Sequence, residues 1–400
     1  MIAISIALGF VAAVLLLPTL SDLLSVFRVL RRRGPRVATG AAEVPRFLLL
    51  VPAHDEELLL PACLESLKQL RYPHQRLDVV VVADNCTDRT ADIARAAGVS
   101  CLVRTAPEDP GKPSAIGWAL ARLTIADYDA VVIIDADTEV DPDFAASAAA
   151  AAPLADKVLQ PYNGVSNQTE NALTRMAAVL SAANHGLAYV LKTRAGLNVP
   201  LSVGMCIGSR VLSSVGWTVT ALSEDWELYA ILTARGVRIE AVPDARIRAQ
   251  EAATLRASST QRRRWTAGKL SVLARHAWPL ARSRQTGLVQ KLDALAELSA
   301  LGPVVHLGLV ALATAGAILL HPPAAGWLVA ILLATLVRPA VYTVAAVVKD
   351  PEPGSAIRAF AFLPFYALWR IGTAVTALGI LRGAPWIRTA REIRPERPRP

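Results

Sequence analysis

The chain has 400 residues, of which 53% are hydrophobic, and its mean hydropathy is positive. A soluble enzyme needs fewer apolar residues than this, so some of them are expected to face lipid. The formal net charge is +9, but the arginines collect after the first apolar segment and at 382–400, which favours anionic lipid headgroups as the partner. No basic stretch is interleaved with aromatic residues, so we expect no nucleic-acid partner.

Residues 1–30 are predicted to form a transmembrane helix. The apolar segment from Met1 to about Phe27 is long enough to cross a bilayer, and no small-residue cleavage site follows it, so it does not resemble a signal peptide. The positive-inside rule places the chain from residue 31 onward in the cytoplasm. This placement depends on the basic residues that follow the apolar segment, namely Arg28, Arg31, Arg32, Arg33 and Arg36. We therefore expect an integral cell-membrane protein with a large cytoplasmic domain.

Residues 44–270 are predicted to form that domain, as an α/β fold with a doubly wound, mostly parallel sheet. Short apolar runs without polar alternation are separated by helical stretches, which is typical of strands buried on both faces. The predicted strands are Phe47–Val51, Asp78–Ala83, Ser100–Arg104 and Ala130–Ile134. The predicted helices between them are Leu58–Leu70, Arg89–Ala97 and Pro113–Leu123.

The last third of the chain is predicted to return to the membrane. We expect interface helices at 271–295 and two transmembrane helices at 296–350, namely Leu298–Leu320 and Ala325–Val348. Residues 351–400 are predicted to hold an interface helix and a basic cytoplasmic tail. The alternative is that Ala356–Leu381 crosses the bilayer, but the arginine-rich tail would then lie outside, against the positive-inside rule.

The four cysteines indicate a reducing compartment. Cys63, Cys86, Cys101 and Cys206 are isolated, without C-x-x-C spacing or a neighbouring histidine cluster. We expect reduced cysteines in the core of a cytosolic domain.

Acidic side chains follow three of the predicted strands. The clusters are Asp55-Glu56-Glu57, Asp84-Asn85-Cys86-Thr87-Asp88 and Asp135-Ala136-Asp137. Ligands of open parallel sheets bind beyond the carboxyl ends of the strands, where these clusters are expected. Two carboxylates one residue apart can turn toward one hard cation, and Mg²⁺ or Mn²⁺ shares such oxygens with substrate phosphates. The alternative is a structural role, in which each cluster caps the helix that follows it. Three such clusters on one edge of the sheet make capping alone a weaker explanation.

The order of motifs resembles family 2 glycosyltransferases of the GT-A fold, in the membrane-integrated branch of cellulose, chitin and hyaluronan synthases and their smaller lipid-directed relatives. Val51–Glu57 resembles the entry motif, Asp84–Asp88 the nucleotide-binding turn, and Gly111-Lys112 the lysine segment, although Pro113 departs from the pattern. Further matches are the D-A-D-T motif at Asp135–Thr138, the [ST]-E-D motif at Ser223-Glu224-Asp225 and the Q-x-x-R-W motif at 261–265.

That resemblance implies a role for each matched residue. Asp225 would be the general base that removes a proton from the acceptor hydroxyl; the alternative is a helix-start residue in an acidic first turn. Asp135 and Asp137 would approach the nucleotide and ligate Mg²⁺ or Mn²⁺. The implied nucleotide-sugar-binding residues are Pro52, Ala53, His54, Glu56, Asp84, Lys112, Asp135, Asp137, Gln261, Arg264 and Trp265. Of these, Arg264 would neutralise the leaving diphosphate and Trp265 would offer a flat face to a sugar ring.

The resemblance implies an inverting, metal-dependent hexosyltransferase. Its donor would be a nucleotide sugar with UDP as the nucleotide, and its acceptor a membrane-associated lipid or a growing polysaccharide. The Q-x-x-R-W motif favours chain synthesis, whereas two or three C-terminal membrane segments offer little material for a polymer channel. The alternative function is an inactive nucleotide-binding subunit of a polysaccharide synthase complex. A transporter is disfavoured, because its helices would be too few. The sequence identifies no protein partner.

Overall fold

The computed structural model describes residues 2–31, 44–221 and 223–379. The basic residues Arg32, Arg33 and Arg36 and the predicted tail at 380–400 lie outside the described residues.

One eight-stranded sheet forms the centre of the described chain, in the order β3-β2-β1-β4-β7-β6-β8-β5. The strands are β1 (Phe47–Ala53), β2 (Leu77–Asp84), β3 (Ser100–Arg104), β4 (Ala130–Ile133), β5 (Thr138–Val140), β6 (Val158–Val165), β7 (Cys206–Gly208) and β8 (Ile239–Ala249). Four of the seven pairings are parallel: β1 with β2, β1 with β4, β2 with β3, and β6 with β8. The predicted doubly wound, mostly parallel sheet is confirmed.

The described α-helices between residues 44 and 282 are α2 (Leu60–Lys68), α3 (Thr90–Ala96), α4 (Lys112–Leu120), α5 (Phe144–Ala149), α6 (Ala172–Ala183), α7 (Tyr189–Ala195), α8 (Ser209–Val215), α9 (Glu224–Ala234) and α10 (Leu255–Arg282). A π-helical segment, Asn184–Ala188, joins α6 to α7. The remaining helices are α1 (Ile2–Arg31), α11 (Leu288–Ser299), α12 (Pro303–Leu320), α13 (Ala325–Ala334), α14 (Val337–Val348), α15 (Pro353–Ala359) and α16 (Leu363–Leu378).

Helices cover both faces of the sheet, which explains why β1, β2 and β4 are apolar at nearly every position. Leu48 and Leu50 of β1 pack in one core with α4, α8 and α9, whereas Leu49 and Val51 pack in a second core with α2, α3 and α5. Successive side chains of a strand point to opposite faces, so each face needs its own apolar set. The strand order reverses between β1 and β4, which opens a crevice at the carboxyl ends of these strands.

The second half of the sheet is where the sequence-based prediction is incomplete. Strands β5 and β7 have only three residues each, and β8 carries Pro243, Asp244 and two arginines. They pair partly antiparallel, β7 is buried but too short to form a recognisable apolar run, and β5 and β8 are partly exposed and carry polar residues. Their pairing brings the segment after β4 beside β8.

Within the described residues, four helical segments are long and apolar enough to cross a membrane, judged by length and composition: Ile2–Arg31, Pro303–Leu320, Ala325–Val348 and Pro353–Leu378. The third consists of α13 and α14, separated by two residues. The fourth consists of α15, a 3₁₀ turn at Phe360–Phe362, and α16. Whether it crosses the bilayer or lies in the interface stays a prediction.

Two predicted boundaries fall inside helices. Helix α10 runs unbroken across residue 270, where the cytoplasmic domain was expected to give way to interface helices. Helix α11 runs across residue 295, and the first C-terminal apolar span begins at Pro303 instead of Leu298. Gly302, at φ +87°, separates the two helices. The catalytic domain and the membrane-proximal helices therefore share continuous elements.

Candidate active site

The ends of β1 and β2 interlock. The Nδ1 atom of His54 lies 2.7 Å from the carbonyl oxygen of Asp84. The Asp55 carboxylate accepts the backbone N–H of Thr87 at 2.6 Å, and the backbone N–H of Glu56 donates to the Thr90 hydroxyl at 2.8 Å. The predicted residues Pro52, Ala53, His54, Glu56 and Asp84 therefore lie in one cluster, with Pro52 and Ala53 buried at the end of β1.

Asp55 and Asn85 adopt left-handed backbone conformations, with φ of 52° and 49°. Such conformations cost free energy in residues other than glycine and concentrate at functional sites. Asn85 compensates by bridging two strand ends, because its side chain accepts the N–H of Ala106 at 2.7 Å and donates to the Ala106 carbonyl at 3.1 Å. The turns that shape this edge are thus held by side-chain contacts.

Asp84 is buried in an ion pair with Arg104. Nη1 of Arg104 lies 2.6 Å from Oδ1 of Asp84, and both side chains are almost inaccessible to solvent. The two residues are register partners at the ends of β2 and β3. Arg104 also binds Asp109 through Nη2 at 2.6 Å, which ties the loop after β3 to this edge. The sequence-based interpretation missed Arg104, although a charge ending an apolar strand is the signal that could have identified it.

Asp135 and Asp137 suit a divalent metal by the chemistry of their carboxylates. Both are half-buried, whereas Ala136 between them is buried in the core under α2 and α5, and Oδ1 of Asp135 lies 2.6 Å from Nζ of Lys112 at the sheet edge. Mg²⁺ and Mn²⁺ prefer such oxygen ligands and usually complete their shells with phosphate oxygens and water. A separate group within the described residues, Asp55, Cys86 and Asp88, also has ligand atoms within 4.8 Å of one another. The Asp55 carboxylate in that group already accepts two backbone N–H groups, which accounts for it as part of a turn.

Lys112 joins the predicted metal motif to the predicted base motif. Its Nζ lies 2.6 Å from Asp135 Oδ1 and 2.5 Å from Glu224 Oε1. Burial lowers the pKa of Lys112, but the two carboxylates outweigh burial and hold the pKa above its ordinary value. Pro113, which departs from the family pattern, lies in the first turn of α4, where proline is tolerated. The ammonium therefore stays charged between α4, β4 and α9.

Asp225 lies in the first turn of α9, beside Glu224. Burial and the neighbouring Glu224 carboxylate raise the pKa of Asp225 to about 7, against the lowering effects of the Trp226 N–H and Lys112. The Trp226 N–H donates to Asp225 Oδ1 at 2.8 Å. A carboxyl group whose pKa lies near neutrality can take up a proton at neutral pH, as a general base must.

The third acid of this turn, Glu227, has a structural role. Its Oε2 accepts the N–H groups of Thr220 and Ala221 at 2.7 and 2.6 Å, and its Oε1 lies 3.1 Å from Nε2 of His276. Burial opposes ionisation, but these bonds outweigh it and lower the pKa of Glu227 to about 2. An acidic first turn thus contains both a structural carboxylate and a carboxylate with a raised pKa. Glu224, which the sequence-based interpretation named within the [ST]-E-D motif without a role of its own, is a partner of Lys112.

Helix α10 presents the Q-x-x-R-W residues on two adjacent faces. Gln261, Arg264 and Gly268 share one face by helical spacing, and Gly268 packs against Ser223 so closely that a Cβ atom there would lie 2.1 Å from the Ser223 hydroxyl. This face is directed at the start of α9. Gln261 is buried and Arg264 is half-buried.

The neighbouring face of α10 lines a cavity. Trp265 is 40% exposed, and the guanidinium of Arg262 lies 5.2 Å from the centre of its ring. Arg262 also donates to Glu251 at 3.1 Å. Trp265 and Trp226, the residue after Asp225, both line this cavity of about 350 Å³. The structure therefore places Trp265 apart from the strand-end cluster but on a cavity that reaches α9.

All four cysteines are free. Cys63 and Cys206 are buried, and burial raises the pKa of Cys206 to about 12. Cys86 and Cys101 are half-buried, and burial raises the pKa of Cys86 to about 11. These thiols are protonated core residues, in agreement with the sequence-based expectation.

The fold resembles that of a solved chain of similar size, a mannosyltransferase from Pyrobaculum calidifontis determined with GDP-Man and Mn²⁺. The TM-score is 0.60 at 20% identity, and the match covers 95% of this chain and 98% of the other. This likeness identifies the architecture as GT-A.

The family model described as glycosyltransferase like family 2 matches residues 45–268, and the chain belongs to this family. Curated relatives include a probable glycosyltransferase, YdaM, of Bacillus subtilis, 27% identical with 62% of this chain and 60% of the relative covered. A second is beta-monoglucosyldiacylglycerol synthase of Synechocystis, 26% identical with 61% and 53% covered. The chain thus spans little more than half the length of these relatives.

Proposed function

We propose that this protein is an inverting hexosyltransferase that moves a sugar from a nucleotide-sugar donor to an acceptor at the membrane. The resemblance of its motifs to the family favours UDP as the nucleotide of the donor. The observation that carries the proposal is the meeting of three motifs at one edge of the sheet. Lys112 contacts Asp135 of the metal motif and Glu224, the neighbour of Asp225. A phosphate-neutralising lysine, a hard-metal ligand and a base of raised pKa are the groups that glycosyl transfer needs.

The reaction follows as a single displacement. Asp225 takes the proton of an acceptor hydroxyl while the oxygen attacks the anomeric carbon, and the bond from that carbon to the diphosphate breaks with its electron pair on the diphosphate. One attack from the face opposite the leaving group inverts the anomeric centre. Lys112 and Arg264 are the cations proposed to offset the charge that develops on the diphosphate.

Asp135 and Asp137 are the proposed ligands of Mg²⁺ or Mn²⁺. The bound metal would supply positive charge toward the diphosphate. Asp84, held by Arg104 at the end of β2, is proposed to face the nucleobase together with Pro52–His54 and Glu56. The Pyrobaculum structure, whose ligands are GDP-Man and Mn²⁺, supports the pairing of a nucleotide-sugar donor with a divalent metal.

The assignment of the base is tested with Asp225→Asn. We expect donor binding close to that of the unmodified protein and turnover lower by orders of magnitude, because the amide cannot accept the proton. Asp92→Asn, on the exposed side of α3, is the matched control and should leave turnover unchanged. Near-normal turnover of Asp225→Asn would reject the assignment.

The assignment of the metal is tested with Asp137→Ala. Titration of a UDP-sugar by calorimetry, with and without Mn²⁺, should show metal-enhanced binding in the unmodified protein and a loss of that enhancement in the variant. Equal enhancement in both proteins would place the metal elsewhere.

A panel of nucleotide sugars, incubated with purified full-length protein and membrane lipid extract and followed by mass spectrometry of the products, tests the activity as a whole. A glycosylated product confirms a transferase. Donor binding without product from any donor would support the non-catalytic accessory subunit instead.

A further inference from the structure

The cavity beside α9 combines buried positive charge with apolar walls. It is enclosed by α6, α10, α16, the segment at 300–302 and the start of α12, and it reaches Trp226. Its apolar walls include Leu173, Met176, Leu180, Val304 and Val305. An apolar cavity with a few converging polar groups is the usual form of a small-molecule site.

Three cations line this cavity against one carboxylate, which leaves a formal excess of two positive charges. The cations are Arg262, Lys269 and Arg370, and the carboxylate is Glu251, which pairs with Arg262 at 3.1 Å. His185, also in the lining, adds no charge, because burial lowers its pKa to about 4. The excess positive charge predicts an anionic ligand.

Arg370 is the most informative of the three cations. It is only 7% exposed, and its Nη1 donates to the Thr373 hydroxyl at 2.9 Å. Arg370 forms no ion pair with any residue in the described part of the chain. A buried guanidinium without a counter-charge is costly in an apolar setting, and such residues near a membrane commonly mark a ligand site.

Lys269 extends the positive wall toward the candidate base. Its ammonium lies 3.7 Å from the centre of the Trp226 ring and donates to the carbonyl oxygen of Ala300. Glu297 lies nearby, but it is engaged with Lys192 at 3.0 Å and with Arg338. Within 2–31, 44–221 and 223–379, Lys269 makes no ion pair of its own.

We propose that this cavity binds the phosphate of an anionic membrane lipid, with Arg370 and Lys269 as its main ligands, and so holds the lipid that accepts the sugar. The acceptor role rests on the proposed function; the phosphate site does not. Arg370 lies on an apolar segment long enough to span a membrane, and α12 begins at the cavity wall, so a lipid headgroup can reach the site while its chains stay in the bilayer. The cavity then places a headgroup hydroxyl next to α9, where Asp225 lies.

A neutral oligosaccharide fits these observations less well. One face of Trp265 is covered by Arg262, and one face of Trp226 is covered by Lys269. Neutral sugar hydroxyls would leave the excess charge of Arg370 uncompensated, whereas two phosphate oxygens accept charge-assisted hydrogen bonds from a guanidinium.

The test is lipid binding to the purified full-length protein in neutral detergent, without any donor, followed by native mass spectrometry. The probes are phosphatidylglycerol, diacylglycerol, which lacks the phosphate, and glycerol 3-phosphate, which lacks the acyl chains. We expect phosphatidylglycerol to bind the unmodified protein, and Arg370→Gln to weaken that binding about tenfold or more, the loss of one charge-assisted hydrogen bond. Lys269→Gln should weaken it in the same direction. Arg282→Gln, an exposed arginine at the end of α10, should leave it unchanged.

The proposal is overturned if Arg370→Gln binds phosphatidylglycerol as tightly as the unmodified protein does. Equal binding of diacylglycerol would also overturn it, because the phosphate would then not be recognised. Glycerol 3-phosphate that binds as tightly as the lipid would identify a soluble phosphate compound as the ligand and reject the lipid. If the variants unfold in the same detergent at the same temperature as the unmodified protein, misfolding is excluded as the cause of lost binding.

A separate assay, the transfer of sugar to phosphatidylglycerol vesicles, tests whether the bound lipid is the acceptor. Transfer that is lost in Arg370→Gln together with lipid binding supports the role. Lipid binding that is lost in Arg370→Gln while Asp225→Asn stays active would reject the proposed base and retain the phosphate site.

Discussion

At the scale of single residues, the site depends on how its charges adjust one another. Glu224 raises the pKa of Asp225 and Lys112 lowers it, while Lys112 is itself shared between Glu224 and Asp135. The protonation state of Asp225 therefore depends on the charges of Glu224 and Lys112. The combination also explains why two adjacent acids can remain buried, since one of them is paired with a cation.

The pH dependence of turnover is the first prediction at this scale. A general base works only when ionised, and the pKa of Asp225 is about 7, so kcat should fall as pH drops below 7, approaching about tenfold per pH unit. The measurement is kcat at saturating donor and metal between about pH 5 and 8. A flat profile over that range would contradict the assignment.

The variant Glu224→Gln tests whether the charge of Glu224 raises the pKa of Asp225. Removing the neighbouring negative charge lowers the pKa of Asp225, so the acid limb of the profile should move to lower pH. The same profile, recorded for Glu224→Gln and the unmodified protein, measures the shift. A limb that moves to higher pH would show that the loss of the Lys112 contact outweighs the loss of repulsion.

At the scale of secondary-structure elements, α10 connects the candidate active site with the cavity. One face packs through Gly268 on Ser223, at the start of α9, and the adjacent face carries Arg262, Trp265 and Lys269. The i, i+3 and i+4 spacing of a helix is what allows neighbouring positions to serve two sites. Any shift of α10 therefore changes both.

Gly268→Ala tests this close packing. The added Cβ would lie 2.1 Å from the Ser223 hydroxyl oxygen and 2.9 Å from its Cβ, so either α10 or the start of α9 must move. We expect turnover to fall at least about tenfold, since small misplacements of reacting groups are costly. Gly326→Ala, on α13 with no atom within 4 Å of the added Cβ, is the control. Unchanged turnover would show that Asp225 does not depend on this contact.

At the scale of the whole molecule, a buried ion cluster ties the first helix to the catalytic domain and to the later helices. Lys192 of α7 pairs with Asp293 and, at 3.0 Å, with Glu297 of α11. Arg338 of α14 contacts Glu297 at 3.6 Å and Asp22 of α1 at 2.7 Å. Four helices from distant parts of the sequence therefore share one set of charges.

Lys192→Met should destabilise this assembly strongly. It leaves Asp293 and Glu297 buried with less positive charge, and breaking a buried pair from one side costs about 3–5 kcal/mol. Thermal unfolding of the detergent-solubilised protein measures the loss. Lys68→Met, at an exposed site on α2, should have almost no effect. A small change for Lys192→Met would mean that the carboxylates take up protons at little cost.

The orientation of the C-terminal segment is a second prediction at this scale. Helix α16 alone has 16 residues, which span about 24 Å and fall short of a hydrocarbon core of about 30 Å. The segment Pro353–Leu378 reaches spanning length only when α15 and the 3₁₀ turn are counted with α16. This favours the in-plane arrangement. A reporter fused after Pro400 should read as cytoplasmic; an extracytoplasmic signal would show that the segment crosses.

Sequence reasoning found the first half of the sheet because its strands are buried on both faces and therefore uniformly apolar. It missed β5, β6, β7 and β8: β5 and β7 have only three residues each, and β6 and β8 carry polar residues or proline that interrupt an apolar run. Within the site it identified Asp84, Asp135 and Asp225 by motif, but not Arg104 as the partner of Asp84. The contact between Asp84 and Arg104 joins two different strands, and no sequence pattern predicts which residues of two strands will lie side by side.

The amino-acid sequence by itself predicted the apolar segments, the parallel half of the sheet and the candidate residues in the motifs, because hydrophobic periodicity and motif order are local properties. Only the tertiary structure decided that Lys112 lies between Asp135 and Glu224, that Glu227 is structural, and that Arg370 faces the cavity beside Trp226. These relations depend on how α4, α9, α10 and α16 pack together. The pKa of Asp225 and the charge of the cavity follow from that packing, since burial and neighbouring charges set both.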